Sequence, residues 1–282
     1  MQIGLSCCGR ISKDVFRQYA EAGIPYMEIS LGSEDYDHLD MKEIQKNANE
    51  YGIKLWSYHL PFAPFSRLNP ASLNRELRSF TVSYFEELIR QAAEQGLDKF
   101  VVHASGEPIP EEDRAESMKW AKESLNTLAD FAHERGAVLA VEDLPRTCLG
   151  NCSQEILEML NVNERLRVCF DTNHLLMEDA AQFIRAVGNK IITTHVSDFD
   201  FVNERHWLPG EGKLDWQNLL KALDEIGYTG IWLYEINLDC PKTIYRDRPL
   251  TYTDFVENAK ALFAGEKPRI FSRPKPNLGM WE

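Results

Sequence analysis

Along almost the whole chain, short runs of apolar and β-branched residues alternate with longer stretches whose apolar positions recur every three or four residues. The first pattern suits buried strands and the second amphipathic helices. Eight strands are predicted: Gln2–Ser6, Tyr26–Ser30, Lys54–His59, Lys99–His103, Val138–Glu142, Arg167–Asp171, Lys190–His195 and Gly230–Ile236. Between them, sets such as Leu77, Phe80, Tyr84 and Leu88, or Leu219, Leu220, Leu223 and Ile226, lay an apolar stripe along one helical face. Gly23, Gly52, Gly96, Gly136, Gly188 and Gly227 stand just ahead of a strand, where a helix has to end. This alternation implies parallel strands joined by crossover helices. Eight such units in 282 residues point to a single-domain (β/α)8 TIM barrel over residues 1–264, with a doubly wound open sheet as the alternative. Residues 265–282 carry Pro268, Pro274 and Pro276 and end in Met280-Trp281 before Glu282. They are expected to form an extended C-terminal tail that wraps the barrel or a neighbouring subunit, so a homo-oligomer is one expectation.

In a barrel of this kind, functional side chains gather at the C-terminal ends of the strands. Those ends hold Glu28, His59, His103, Glu142, Asp171 with His174, His195 with Asp198, and Glu235. Of seven histidines, four fall at or just after a strand end, a fifth, His206, lies in the loop that follows, and His38 and His133 are left over. One histidine at a strand end is as readily a hydrogen-bonded structural residue as a ligand. Five that converge with several carboxylates on one mouth are hard to account for structurally. Glu142 after VLAV and Glu235 after IWLY would be costly to bury unless paired or bound to a cation. The densest stretch is Thr194–Gly212, THVSDFDFVNERHWLPGEG, which packs His195, Asp198, Glu204, Arg205 and His206 into a loop closed by Pro209-Gly210-Glu211-Gly212. Imidazoles and carboxylates together suit a divalent transition metal.

Charge and composition narrow the partners. A net charge of −13 opposes polyanions, since nucleic-acid binders use a basic face to displace counterions from phosphate, and small neutral or singly charged substrates are expected instead. MQIGLSCCGR holds too short an apolar run for a signal peptide, and no stretch has the roughly twenty apolar residues of a membrane span, so a cytoplasmic protein without membrane contact is expected. Cys7, Cys8, Cys148, Cys152, Cys169 and Cys240 form no CxxC pair; free, packed thiols are expected, the alternative being a Cys148–Cys152 bond.

The marks VED at Glu142, DTNH at Asp171 and His174, HVSD at His195, HWLPGEG at His206 and YE at Glu235 make the chain resemble the xylose isomerase-like barrel superfamily. That group includes sugar isomerases and epimerases, hydroxypyruvate isomerase, inosose dehydratase and endonuclease IV. The resemblance to the D-tagatose 3-epimerase branch implies that Glu142, Asp171, His195 and Glu235 hold one divalent ion, that His174 contacts substrate and that Arg205 supplies a loop arginine. The resemblance to endonuclease IV implies a larger cluster: His59 and His103 join those residues, His174 is a ligand, and Glu204-Arg205-His206 stands where that enzyme has Asp-x-His. One ion is then expected and up to three are allowed, with manganese, zinc, cobalt or magnesium as the metal. The basic and minor-groove-wedge loops of a DNA enzyme are not recognisable.

Around this set, His59 and His103 are also read as possible hydrogen-bond partners of a sugar hydroxyl, Glu28 as a positioning carboxylate, and Arg146 as either an anion contact or an exposed loop arginine. Trp207, Phe62 and Phe65 are candidate faces for a sugar ring or, equally, core. The expected activity is a metal-dependent isomerase or epimerase acting on a small sugar, keto-sugar or polyol derivative through an enediolate, with Glu142 and Glu235 as the proton-transfer pair. The alternatives are a lyase on the same site, in which the enediolate expels a hydroxyl, and a metal-assisted phosphodiester hydrolase.

Overall fold

The computed structural model describes residues 1–280. Eight strands, β1 (Ile3–Ser6), β2 (Tyr26–Ile29), β3 (Lys54–His59), β4 (Lys99–His103), β5 (Val138–Glu142), β6 (Arg167–Asp171), β7 (Ile191–His195) and β8 (Trp232–Tyr234), form one parallel sheet. Their order is β7-β6-β5-β4-β3-β2-β1-β8, which is chain order around a ring. The seam between β7 and β8 is drawn together where the Val196 N–H donates to the Leu233 carbonyl at 2.8 Å and the Glu235 N–H to the Val196 carbonyl at 3.2 Å. A doubly wound sheet would reverse direction at a switch point; this one does not, so the barrel is the fold.

Helices α1 (Lys13–Ala22), α2 (Met41–Tyr51), α3 (Arg75–Ala93), α4 (Glu111–His133), α5 (Ser153–Leu160), α6 (Ala180–Val187), α7 (Trp216–Glu225) and α8 (Tyr252–Phe263) follow the strands in turn and cover the ring. The buried face of α3 runs through Thr81, Phe85, Leu88, Ile89 and Ala92, while Phe80, placed by its spacing on the apolar stripe, is exposed and stacks on Tyr84. The main core fills the layer between strands and helices, and a small separate layer of Val101, Ala140 and Cys169 with Ile192 fills the barrel interior. This inner layer positions the site. Side chains two residues apart on a strand share a face, so His103, Glu142 and Asp171 stand one step above Val101, Ala140 and Cys169, pointing into the mouth.

The tail adds a feature the hydrophobic pattern does not carry. β9 (Ile244–Arg246) and β10 (Ser272–Pro274) pair as an antiparallel ribbon, which lays the tail against its own barrel rather than leaving it free. Beyond it, the Gly279 carbonyl accepts from Arg205 Nη2 at 2.7 Å, and the Met280 carbonyl accepts from Asn203. Trp281 and Glu282 lie outside the described residues. All six cysteines are free thiols, and among the described residues no helix is long and apolar enough to cross a membrane.

Candidate functional site

Strands β2 to β8 each deliver a residue at or beside their C-terminal end to one point above the inner layer, and Glu142 is the hub. Its Oε1 lies 2.8 Å from His195 Nδ1, and its Oε2 lies 3.0 Å from His59 Nε2 and 3.1 Å from His103 Nε2. Asp171 Oδ2 stands 3.7 Å from His174 Nδ1 and 3.9 Å from His195 Nδ1, and Glu235 Oε2 stands 3.8 Å from the same His195 nitrogen. The far side of the His195 ring is held by Glu28, 3.0 Å from Nε2, and Glu28 in turn accepts from Ser57 Oγ at 2.7 Å. A buried carboxylate behind an imidazole fixes its orientation and tautomer, so Nδ1 is turned toward the cluster.

The electrostatics match a site built around a cation. Burial opposes ionisation of Glu142, but the imidazoles of His195 and His103 outweigh it and hold the carboxyl well below the usual carboxylate range. Asp171 goes the other way: burial, reinforced by Glu235 and Glu142 and only partly offset by His174, pushes it up to about 7. His195 and His174 are raised well above the ordinary histidine value: burial opposes this, but is overcome at His195 by Cys169 and then Glu28, Glu142 and Glu235, and at His174 by Asp171, Glu204 and Glu142. His103 is lowered, chiefly by burial. Asp171 Oδ2 is fully buried with no hydrogen-bond partner, which is costly unless something other than protein satisfies it.

Three groups each have donor atoms within 4.8 Å of one another: Glu142, Asp171, His195 and Glu235; His59, Glu142 and His195, which shares two residues with the first; and, separately, His174, Glu204 and His206. In the last, Glu204 Oε2 lies 3.1 Å from His174 Nε2, while Glu204 Oε1 accepts from Arg146 at 2.7 Å. Oxygen and imidazole nitrogen in these groups, with an orphaned carboxylate oxygen among them, are the donor set of a divalent transition metal.

Several other candidates have different surroundings. The Arg205 side chain is fully buried, with Nε donating to Asp200 at 3.0 Å and Nη2 to the tail, so it braces the loop. Asp198 is also structural: its carboxylate accepts from the Phe199, Gly210 and Leu214 N–H groups and from Trp216 Nε1. Trp207 is core, its Nε1 donating to Thr243 Oγ1 at 2.9 Å. Arg146 is neither a bare loop arginine nor an open anion contact, since Glu107, Asn203 and Glu204 all accept from it. Phe62 stacks on His103, and Phe65 lines the mouth. Glu107 and Asn203 are partners that sequence reasoning missed; both lie in polar loops with no periodic pattern to mark them.

Comparison with known proteins agrees with this arrangement. The family model described as xylose isomerase-like TIM barrel matches residues 16–254. An uncharacterized protein of Methanocaldococcus jannaschii is 31% identical over 180 residues, spanning 60% of this chain and 61% of that protein. The D-psicose 3-epimerase of Agrobacterium fabrum is 25% identical over 235 residues, 77% of this chain and 76% of that one. Among solved structures, a D-tagatose 3-epimerase-like protein superposes with a TM-score of 0.75 at 26% identity, covering 84% of this chain and 91% of its own. A match that runs from α1 to α8, through every strand end that feeds the cluster, leaves one assignment: the chain belongs to the xylose isomerase-like TIM barrel family.

Proposed function

We propose that the protein is a divalent-metal-dependent epimerase or isomerase of a sugar or sugar-derived ketone. The observation that carries this reading is the convergence of Glu142, Asp171, His195 and Glu235 within 4.8 Å, with Asp171 Oδ2 buried and unpartnered. Those four would hold the ion, and the relatives named as 3-epimerases of ketohexoses support the substrate class. When bound there, a divalent cation would stabilise negative charge developing on a substrate oxygen beside the carbon that loses its proton.

The chain's own groups then divide the proton work. Glu235 sits at the edge of the mouth, its side chain 17% exposed, and is placed to take a proton from the substrate carbon. Glu142 comes from β5, three strands away round the ring, and is placed to return a proton to the opposite face. His59 and His103, both within 3.1 Å of Glu142 Oε2, hold that carboxylate in one orientation. His174 is buried between Asp171 and Glu204, with Nδ1 held 2.8 Å from the Asp143 carbonyl, and would meet a substrate hydroxyl through Nε2 in exchange for Glu204.

Metal-loaded protein incubated with D-fructose in deuterium oxide should incorporate deuterium beside the carbonyl. Glu235→Gln, which keeps a donor oxygen and removes the base, should slow incorporation by roughly a hundredfold or more. Incorporation at the parent rate by the metal-loaded variant would rule out this role for Glu235.

A second reading, metal-assisted phosphodiester hydrolysis, is favoured by one observation, the presence of three donor groups on one mouth. Against it stand the net charge of −13 and the engagement of Arg146 by carboxylates. Metal content separates the two: about one tightly held ion supports the epimerase, and three with cleavage of an abasic duplex support the hydrolase.

A further inference from the structure

Beside the carboxylate and histidine cluster lies a cavity of about 780 Å³. Its wall is built from six separate segments, four of which supply its larger apolar side chains: Phe65, Leu176 with Met177, Phe201 with Val202, and the tail's Met280. The lining charges are Glu107 and Arg146, and these pair with each other. Arg146 is also the seam to the cluster, since the Glu204 carboxylate that accepts from it lies 3.1 Å from His174 Nε2. The cavity and the proposed reaction centre are therefore neighbours, with the Arg146–Glu204 pair between them.

The chemistry of this wall does not suit a bare sugar. A free hexose carries a hydroxyl on nearly every carbon, and each loses a water partner when it meets thioether, aliphatic or phenyl surface. A phosphorylated sugar fares worse, because the one arginine is already neutralised by Glu107 and Glu204. Met177 is 80% exposed, Phe201 49% and Val202 39%, so a contiguous apolar rim is left facing water. Two residues of the lining, Arg146 at φ 53° and Phe201 at φ 64°, hold backbone conformations unfavourable for a side chain, so the rim is held in place at an energetic cost. Its volume falls in the roughly 300–1,000 Å³ range of pockets that enclose ligands larger than a monosaccharide.

Resting on the epimerase reading, we propose that the natural substrate is a keto-sugar, its ketone carbonyl free, bearing an uncharged aromatic or hydrocarbon substituent at another position, whose apolar group fills this cavity while its sugar part meets the carboxylate and histidine cluster. The substituent supplies the apolar surface that covers Met177, Phe201 and Val202. Met280 makes the C-terminal tail part of the specificity wall.

The test compares two ligands that differ only in the substituent. Binding of phenyl β-D-glucopyranoside and methyl β-D-glucopyranoside to metal-loaded protein is measured by calorimetry, alongside deuterium incorporation into D-fructose. The phenyl glycoside should bind roughly tenfold tighter or more, as burial of a ring demands. In Met177→Gln and Phe201→Asn, both at exposed positions and checked for an unchanged unfolding midpoint, that ratio should fall to within about threefold. Equal or undetectable binding of the phenyl glycoside overturns the proposal. So does a ratio that survives both substitutions, or a rim buried in a self-associated dimer seen by sedimentation. Failure of the epimerase reading looks different: no deuterium enters D-fructose while the phenyl preference and its loss in the variants remain.

Discussion

Asp171 concentrates the physical case for a bound cation into one residue. Its carboxylate is wholly buried, its Oδ2 has no hydrogen-bond partner, and burial with two neighbouring glutamates disfavours its charge. A group that fits the metal-free protein so poorly is one that the proposed ion would satisfy. Asp171→Asn should therefore have opposite effects on two measurements. In chelator, the variant should unfold at the parent midpoint or above it, because an awkward buried acid has been replaced by a neutral isostere. On adding manganese or zinc the parent midpoint should rise, as mass action requires for a ligand of the native state, and the variant should lose most of that rise. A variant that is destabilised in chelator yet keeps the full metal-induced shift would place Asp171 outside the ligand set. Glu28 is the complementary case at this scale: equally buried, but satisfied by Ser57 and His195, it acts through the histidine it orients.

At the scale of the element, the loop from Val196 to Gly212 is organised by Asp198, not by the ligands it carries. Asp198 and Trp207 exchange backbone hydrogen bonds at 2.7 and 3.0 Å, closing a hairpin-like turn that carries Glu204 and, beside the closing pair, His206. The last residue of the PGEG stretch makes that possible by close approach: a Cβ on Gly212 would lie 2.2 Å from Asp198 Oδ1 and 2.4 Å from the Phe199 carbonyl. Gly212→Ala should cost roughly 2 kcal/mol or more in urea unfolding and should cut activity further by displacing Glu204 and His206. A fully stable, fully active Gly212→Ala protein would contradict this account of the loop. The loop also shows what the sequence can convey. The strands were legible because a buried parallel strand is a continuous apolar run, and Glu142, Asp171 and His195 were legible because such runs end on them. Asp198 and Arg205 looked equally chemical in the sequence, but their orientation depends on tertiary bonds to Trp216, Asp200 and the tail. The β9–β10 ribbon was illegible for a related reason: two three-residue strands far apart in sequence leave no periodic trace. The apolar cavity draws on six segments, none of them distinctive alone.

Over the whole molecule, two parts with different mechanical support meet at the site. The proposed metal ligands Glu142, Asp171, His195 and Glu235 stand on strand ends or one residue beyond, braced by the ring, whereas Glu204 and His206 stand on a loop whose support comes partly from the tail. The Arg205 side chain is the joint: fully buried, it spans Asp200 and the Gly279 carbonyl, and the neighbouring Asn203 donates to Met280. A charge-assisted hydrogen bond of this kind contributes about 1.5–3 kcal/mol. Its loss leaves a buried guanidinium short of one acceptor while the barrel core is untouched. A protein ending at Pro276 retains the β9–β10 ribbon and tests this division. Its affinity for one divalent ion should stay within a few-fold of the parent, because no strand-end ligand has moved. Its rate of deuterium incorporation into D-fructose should fall by roughly tenfold or more, because Glu204 and His206 would be released together. Hydrogen exchange should rise across residues 200–206 and stay unchanged in β5 to β7. If metal affinity instead falls in step with activity, or if exchange in the 200–206 loop does not change, the tail does not support the site in this way.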